Sequence, residues 1–303
     1  MKRSYTRSTA IDLAAAVNAG RVRAVQLVAA AEAVQARRQL VGTPLNAFIS
    51  VGFGTAADAA LAQEEGLREA EAPRILAGVP VAVSDNVSTA DLPTTCGSRL
   101  LEAYRAPFDA TVVHRLRAAG GLLVGKTNVG ELGIGEGTEH SAFGPTRHPH
   151  DRTRTAGGAC GGAAAAVAAG IVPCAVASDS GGGLRQPAAF CGVVGFKPTY
   201  GMVSRYGLVA YAPSLDTVGT VARSVGDAAL LLECIAGHDP RDSTSPERDV
   251  AELRNALGQS VQGMTVGVPA EYFTADVHPG IAATCRAALD RLQAMGAKLR
   301  PIS

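Results

Sequence analysis

No stretch of this chain is apolar for long enough to cross a membrane. The longest candidate, Ala163 to Ala177, is broken by Gly170 and Pro173 and falls short of the roughly 20 residues a spanning helix needs. Charge of one sign is missing too. The 28 Lys and Arg against 27 Asp and Glu leave a formal net charge of +1, without the basic stripe that marks direct nucleic-acid binding. Among the six cysteines, Cys96, Cys160, Cys174, Cys191, Cys234 and Cys285, there is no C-x-x-C pair. Several sit inside apolar runs, which reads as reduced, buried thiols of a cytoplasmic protein rather than a disulfide framework. The N-terminal MKRSYTRST is basic and hydroxyl-rich, like a weak transit signal, but lacks an apolar h-region. It is read as an arm leading to a helix cap at Ser8 or Thr9.

What is present is a chain of 303 residues, 47% of them hydrophobic, enough for a soluble globular protein with one large core or two ordinary ones. Ile11, Leu13, Val17, Val22, Val25 and Val28 recur at helical spacing with a break near Gly20, predicting two helices between Thr9 and about Arg38. NAFISV (46–51) reads as a strand, and Ala56 to Ala70 as a helix. ILAGVPVAVSDN, from Ile75 to Asn86, is rich in β-branched residues and closes on Asp-Asn, so it reads as a buried strand entering a polar turn. A helix over Asp109 to Ala119 leads to a strand over Leu122 to Val124. From Gly157 to Gly183 a glycine loop, an alanine-rich helix, a strand ending near Ser178 and a second glycine loop follow in turn. MTVGVP, Pro279 to Met295 and AKLRPIS repeat strand, helix and strand start. This alternation predicts an α/β fold whose sheet is covered by helices on both faces.

Two motifs invite chemistry and are set aside on physical grounds. GGLLVGKT (120–127) satisfies the phosphate-loop pattern, but a phosphate cradle needs its intervening residues in a loop with exposed N–H groups. Here Leu122, Leu123 and Val124 are themselves strand residues. His148 and His150 flank Pro149, yet no cysteine or carboxylate is spaced to complete a metal site with them. No metal and no cofactor is expected.

AGGACGGAAAAVAAG (156–170), followed by SDSGGGLRQP (178–187), is more specific. Two glycine turns separated by one helix and one strand bring backbone N–H groups toward a single point, as an oxyanion hole requires. Together with AGVPVAVSDN, TTCGSRLLEAY, TEHSAFGPTRHP and GHDPRDSTS, these segments resemble the amidase signature family, most closely its branch of tRNA-dependent amidotransferase A subunits. The resemblance runs along nearly the whole chain. It implies a mixed central β-sheet with helices on both faces, in a single domain over 1–303. Within that domain, 1–70 would be an N-terminal helical segment, 71–240 the signature core and 241–303 an incomplete C-terminal part of a truncated chain.

The resemblance also implies a lysine base, a serine relay and a serine nucleophile, which fall on Ser84, Ala159 and Gly183. None of the three is retained. The turn Ser180, Gly181, Gly182 and Gly183 keeps its N–H donors, and Arg185, Gln186 and Pro187 match the R-Q-P that follows it in the family, so a ligand site over 180–183 and Arg185 is expected. Cys160, beside the relay position at the start of the alanine-rich helix, is the one alternative nucleophile. A thiolate there needs a neighbouring cation or base, and with no histidine or lysine visibly supplied, an inert thiol is expected. The expectation is a non-catalytic homologue that acts by binding, with other amidotransferase subunits or a second copy of itself as partner. The alternatives are an amidohydrolase using Cys160 or another group, and a remnant without activity.

Overall fold

The first helix begins at a hydroxyl cap. Thr9 Oγ1 accepts the Asp12 N–H at 3.0 Å, satisfying one of the donors that a first turn leaves unpaired. Helix α1 (Ala10–Asn18) follows, Gly20 turns the chain at φ 66°, and α2 (Ala24–Leu40) comes next. A computed structural model describes residues 5–67, 72–247, 250 and 253–303, so the expectations for 1–4 and 68–70 lie outside the described residues. Further along come β1 (Phe48–Val51), α3 (Phe53–Leu67), β2 (Pro80–Ser84), α4 (Thr111–Ala118), β3 (Leu122–Thr127), α5 (Gly161–Ala168), β4 (Cys174–Asp179), α6 (Arg185–Cys191), β5 (Val194–Phe196), β6 (Thr217–Ala222) and α7 (Val225–Ile235). The phosphate-loop match falls on β3, a fully buried strand, as the run of apolar residues required.

One strand is shorter than its sequence suggests. The stretch from Ile75 to Asn86 reads as extended throughout, but 75–79 form a turn and the strand starts at Pro80. The turn is held by Leu76 N–H to Ala119 O at 2.9 Å and Gly78 N–H to Gln63 Oε1 at 2.6 Å. Gly78 sits at φ 66°, and a Cβ there would lie 2.8 Å from Ala24 Cβ. Apolar composition cannot distinguish this tight corner from a buried strand.

The six strands order as β1-β3-β2-β4-β6-β5. β2 runs parallel to β3 and β4, while β1, β6 and β5 run antiparallel to their neighbours, giving the mixed sheet that was expected. Alternation along β6 shows that both faces are covered. A Cβ at Gly219 would meet Leu184 Cδ1 at 3.2 Å, next to α6, whereas Thr220 Oγ1 donates to Ala228 O of α7 at 3.0 Å on the opposite face. Five alanines and a valine between Ala163 and Ala168 let α5 lie close on the sheet.

The chain divides into two compact units, Met1–Arg254 and Asn255–Ser303. The second holds β7 (Thr265–Pro269), α8 (Pro279–Ala294) and β8 (Lys298–Ile302). β7 and β8 pair in parallel from Thr265 with Lys298 to Pro269 with Ile302, so a crossover helix joins them, as a parallel pair requires.

Candidate functional site

Three chain segments meet at one end of the sheet: the end of β2 at Ser84, the approach to α5 at Ala159 and Cys160, and the turn from β4 into α6. The joint is made by backbone. Cys160 N–H donates to Gly183 O at 2.9 Å, and Gly130 N–H donates to Ala159 O at 2.8 Å. A Cβ built on Gly183 would lie 3.5 Å from Ala159 Cβ. Positions 159 and 183 therefore face each other, as the paired glycine turns suggested.

Ser84 ends β2 fully buried. Its Oγ lies 3.5 Å from Cys160 Sγ. That thiol also reaches Ser178 O at 3.3 Å and Ser178 Oγ at 3.6 Å, and Asn86 Nδ2 donates to Ser178 Oγ at 2.7 Å. The result is a buried polar chain of Ser84, Cys160, Ser178 and Asn86, which meets the cleft at Ser178. Burial pushes the Cys160 thiol above its ordinary range, outweighing the hydrogen bonds from Ser84 and Ser178, and the nearby Asp179 carboxylate raises it further. Neither a histidine nor a lysine is among its partners.

The 180–183 turn is organised by Asp179. Its Oδ1 accepts the Gly182 N–H at 2.8 Å, and its two oxygens take Arg185 Nε at 2.8 Å and Nη2 at 2.9 Å. Burial opposes this carboxylate, but the Arg185 and Gly182 bonds hold it below the usual range. Within the turn the Gly182 N–H is engaged by Asp179, and Arg185 clamps the turn through the same carboxylate. Among the described residues no acceptor engages the N–H groups of Gly181 and Gly183, so the donors narrow to these two. The Ser180 hydroxyl donates to Asp216 Oδ1.

Ser180, Gly181, Gly182 and Gly183 line a cleft of about 410 Å³ together with Ala159, Glu136 and Tyr211. Glu136 and Tyr211 were not picked out from the sequence; a glutamate between glycines in GIGEG was the available signal. Lys126 also escaped notice except as a rejected phosphate-loop residue. It is fully buried, with Nζ 3.3 Å from Asp85 Oδ1 at an ion-pair distance, 3.1 Å from Pro93 O and 3.0 Å from Thr94 Oγ1. Burial pushes Lys126 down and Asp85 up, each opposed by its partner's charge. Its contacts are with the 93–94 loop and Asp85. His148 is engaged by backbone at both ring nitrogens: Nδ1 accepts from His150 and Asp151 N–H, each at 3.2 Å, and Nε2 lies 2.9 Å from Phe190 O.

A family model described as Amidase matches residues 29–303. The chain belongs to the amidase signature family. This amidase-signature chain is 49% identical over 292 residues to the A subunit of glutamyl-tRNA(Gln) amidotransferase from Anaeromyxobacter dehalogenans (strain 2CP-C), covering 96% of this chain and 59% of that protein. It is 53% identical over 242 residues to the same-named protein of Moorella thermoacetica, covering 80% and 48%. The crystal structure of the glutamyl-tRNA(Gln) amidotransferase A subunit from Thermotoga maritima matches at TM-score 0.81 and 38% identity, over 100% of this chain and 62% of that one. Native peptide amidase from Stenotrophomonas maltophilia matches at TM-score 0.89 and 31% identity, over 99% and 62%. The chain thus spans between 48% and 62% of the length of these relatives. Among the described residues no helix is long and apolar enough to cross a membrane.

Proposed function

We propose that this amidase-signature chain is catalytically degenerate and works by binding, holding a ligand's carbonyl oxygen at the 181–183 turn without breaking its amide bond. The observation that carries the reading is the facing pair Gly183 and Ala159. A side chain at 183 would point at the Ala159 methyl 3.5 Å away, and neither residue has a hydroxyl to attack or relay. The resemblance puts the base at Ser84, which contributes a hydroxyl in place of an amine. Groups of this kind act as a unit, so losing them costs on the order of 10⁶ in kcat, leaving the weak acceleration that N–H donors give by themselves.

The alternative of an amidohydrolase built on Cys160 is opposed by its surroundings. The thiol is 1% exposed, its pKa is raised by burial, and its neighbours are hydroxyls and a carbonyl. A nucleophilic cysteine requires the opposite environment, electropositive and partly open. The relatives are named as subunits; by extension this chain is assigned to an assembly, with other amidotransferase subunits or a second copy of itself as partner, in the cytoplasm.

The test is amide hydrolysis by the purified chain on glutamine, asparagine and a chromogenic aryl amide, alongside Cys160→Ala. The expected result is at most a weak acceleration over the uncatalysed rate, unchanged by Cys160→Ala, from a chain that unfolds cooperatively. Hydrolysis abolished by Cys160→Ala would establish a thiol enzyme and overturn the proposal. Hydrolysis at the rate of an intact enzyme, with kcat of about 1 per second or more, that survives it would overturn the proposal equally, by another nucleophile.

A further inference from the structure

We propose that the cleft selects a small cationic amide: an ammonium-bearing ligand whose carbonyl oxygen meets the Gly181 and Gly183 N–H groups while its positive charge is taken by Glu136. The inference rests on the binding reading above and adds the ligand's charge. It comes from the balance of charges around the cleft. Glu136 is the one lining residue with a full charge, and among the described residues it joins no ion pair. Behind the wall, Asp216 is 2% exposed and is held by neutral donors only: the Ser180 hydroxyl, Tyr211 N–H at 2.9 Å and Ala212 N–H at 3.0 Å. No cation pairs with it among the described residues. Arg205 and Arg241, which line a separate pocket together with Asp216, are paired with Asp242 and Asp239, and Arg185 is bound through two nitrogens to Asp179.

The cleft lining therefore carries one carboxylate without an ion-pair partner, Glu136, and no cation. Glu136 is exposed, so its unpaired carboxylate attracts cations from solvent with a strength that salt screens. Tyr211, half exposed at the edge of the cleft, offers an aromatic face of the kind that attracts ammonium groups. Turn donors and acidic residue share one cleft of about 410 Å³, a volume suited to a small ligand. A ligand with an acceptor oxygen and an ammonium group satisfies both ends. A neutral amide satisfies one, and an anionic amide meets repulsion.

Calorimetric titration of the full chain near neutral pH with glycinamide, propionamide and succinamate separates these cases. Glycinamide is expected to bind more tightly than propionamide by on the order of tenfold, the usual scale of one charge-assisted contact. That advantage is expected to shrink as salt is raised and to vanish in Glu136→Gln, with succinamate weakest of the three. Propionamide or succinamate binding as tightly as glycinamide would overturn the inference and leave the binding reading standing. So would an advantage that Glu136→Gln leaves untouched. Failure of all three amides to bind would overturn both. The comparison among ligands is made on the parent chain and does not depend on how the variant folds.

Discussion

Gly181, Gly182 and Gly183 stand side by side in one turn, yet they differ in what an added side chain would meet. Gly182 has φ 113° and gives its N–H to Asp179, so any L-residue there is strained. Gly183 lies outside that region, and a Cβ would find only ordinary contacts at 3.5 to 3.8 Å, to Ala159 and Ser178. Gly182→Ala is therefore expected to destabilise by about 1–3 kcal/mol, the cost of a residue held in a sparsely populated conformation. Gly183→Ser is expected to stay within about 0.5 kcal/mol of the parent, as a substitution that disturbs nothing does. Urea midpoints of the two variants check this, and equal losses would show that position 183 has no room for a side chain. The Gly183→Ser variant is also expected to remain inactive on aryl amides, because a new hydroxyl beside the Ala159 methyl has no proton acceptor.

At the scale of elements, the site depends on how closely α5 approaches the strands. Gly162 in its first turn has Asn128 O and N at 2.4 and 2.5 Å, and Ala47 O at 2.7 Å, from the position of a would-be Cβ. All three are backbone atoms and cannot swing aside. Gly162→Ala is expected to cost about 3 kcal/mol, at the upper end for overpacking, and to displace the helix start that holds Cys160 against Ser84. Thermal melting reads the loss; a variant as stable as its parent would mean that α5 moves freely. The order of helices and strands up to 183, and the convergence of 159–160 with 180–183, were legible because periodicity and glycine punctuation are local signals, whereas α6, β5, β6 and α7 were not read from the sequence. The corner at 75–79 was not, since its apolar residues are held by Ala119 and Gln63, far away in sequence. Nor was the engagement of the Gly182 N–H and of Arg185 by Asp179. The sequence shows Asp179 near both, but only the folded turn directs its two oxygens at them.

Across the whole molecule, the loops around the sheet are tied down by buried carboxylates, and these set the response to acid. Asp239 accepts from the Thr111 and Ser204 hydroxyls, the latter at 2.7 Å, and from Arg241 N–H and Nε at 3.0 and 3.1 Å. Burial works against its charge, but these bonds prevail and hold it well below the usual carboxylate range. Asp242, bonded to Arg205 and Thr244, and Asp179 are depressed in the same direction for the same reason. A carboxyl whose pKa is lower folded than unfolded contributes stability that is complete above the unfolded value, about 3.9, and is lost as pH falls through the folded one. The parent chain is therefore expected to hold its urea midpoint down to about pH 4 and to lose stability progressively below it. Asp239→Asn keeps the shape of the side chain and removes the charge, which is expected to cost about 2 kcal/mol at neutral pH, the scale of hydrogen bonds to an ionised group. Because the parent forfeits the same contribution on protonation, the gap between the two should close as pH drops. A gap that stays constant into acid would show that Asp239 holds the 204 and 241 segments by shape rather than by charge.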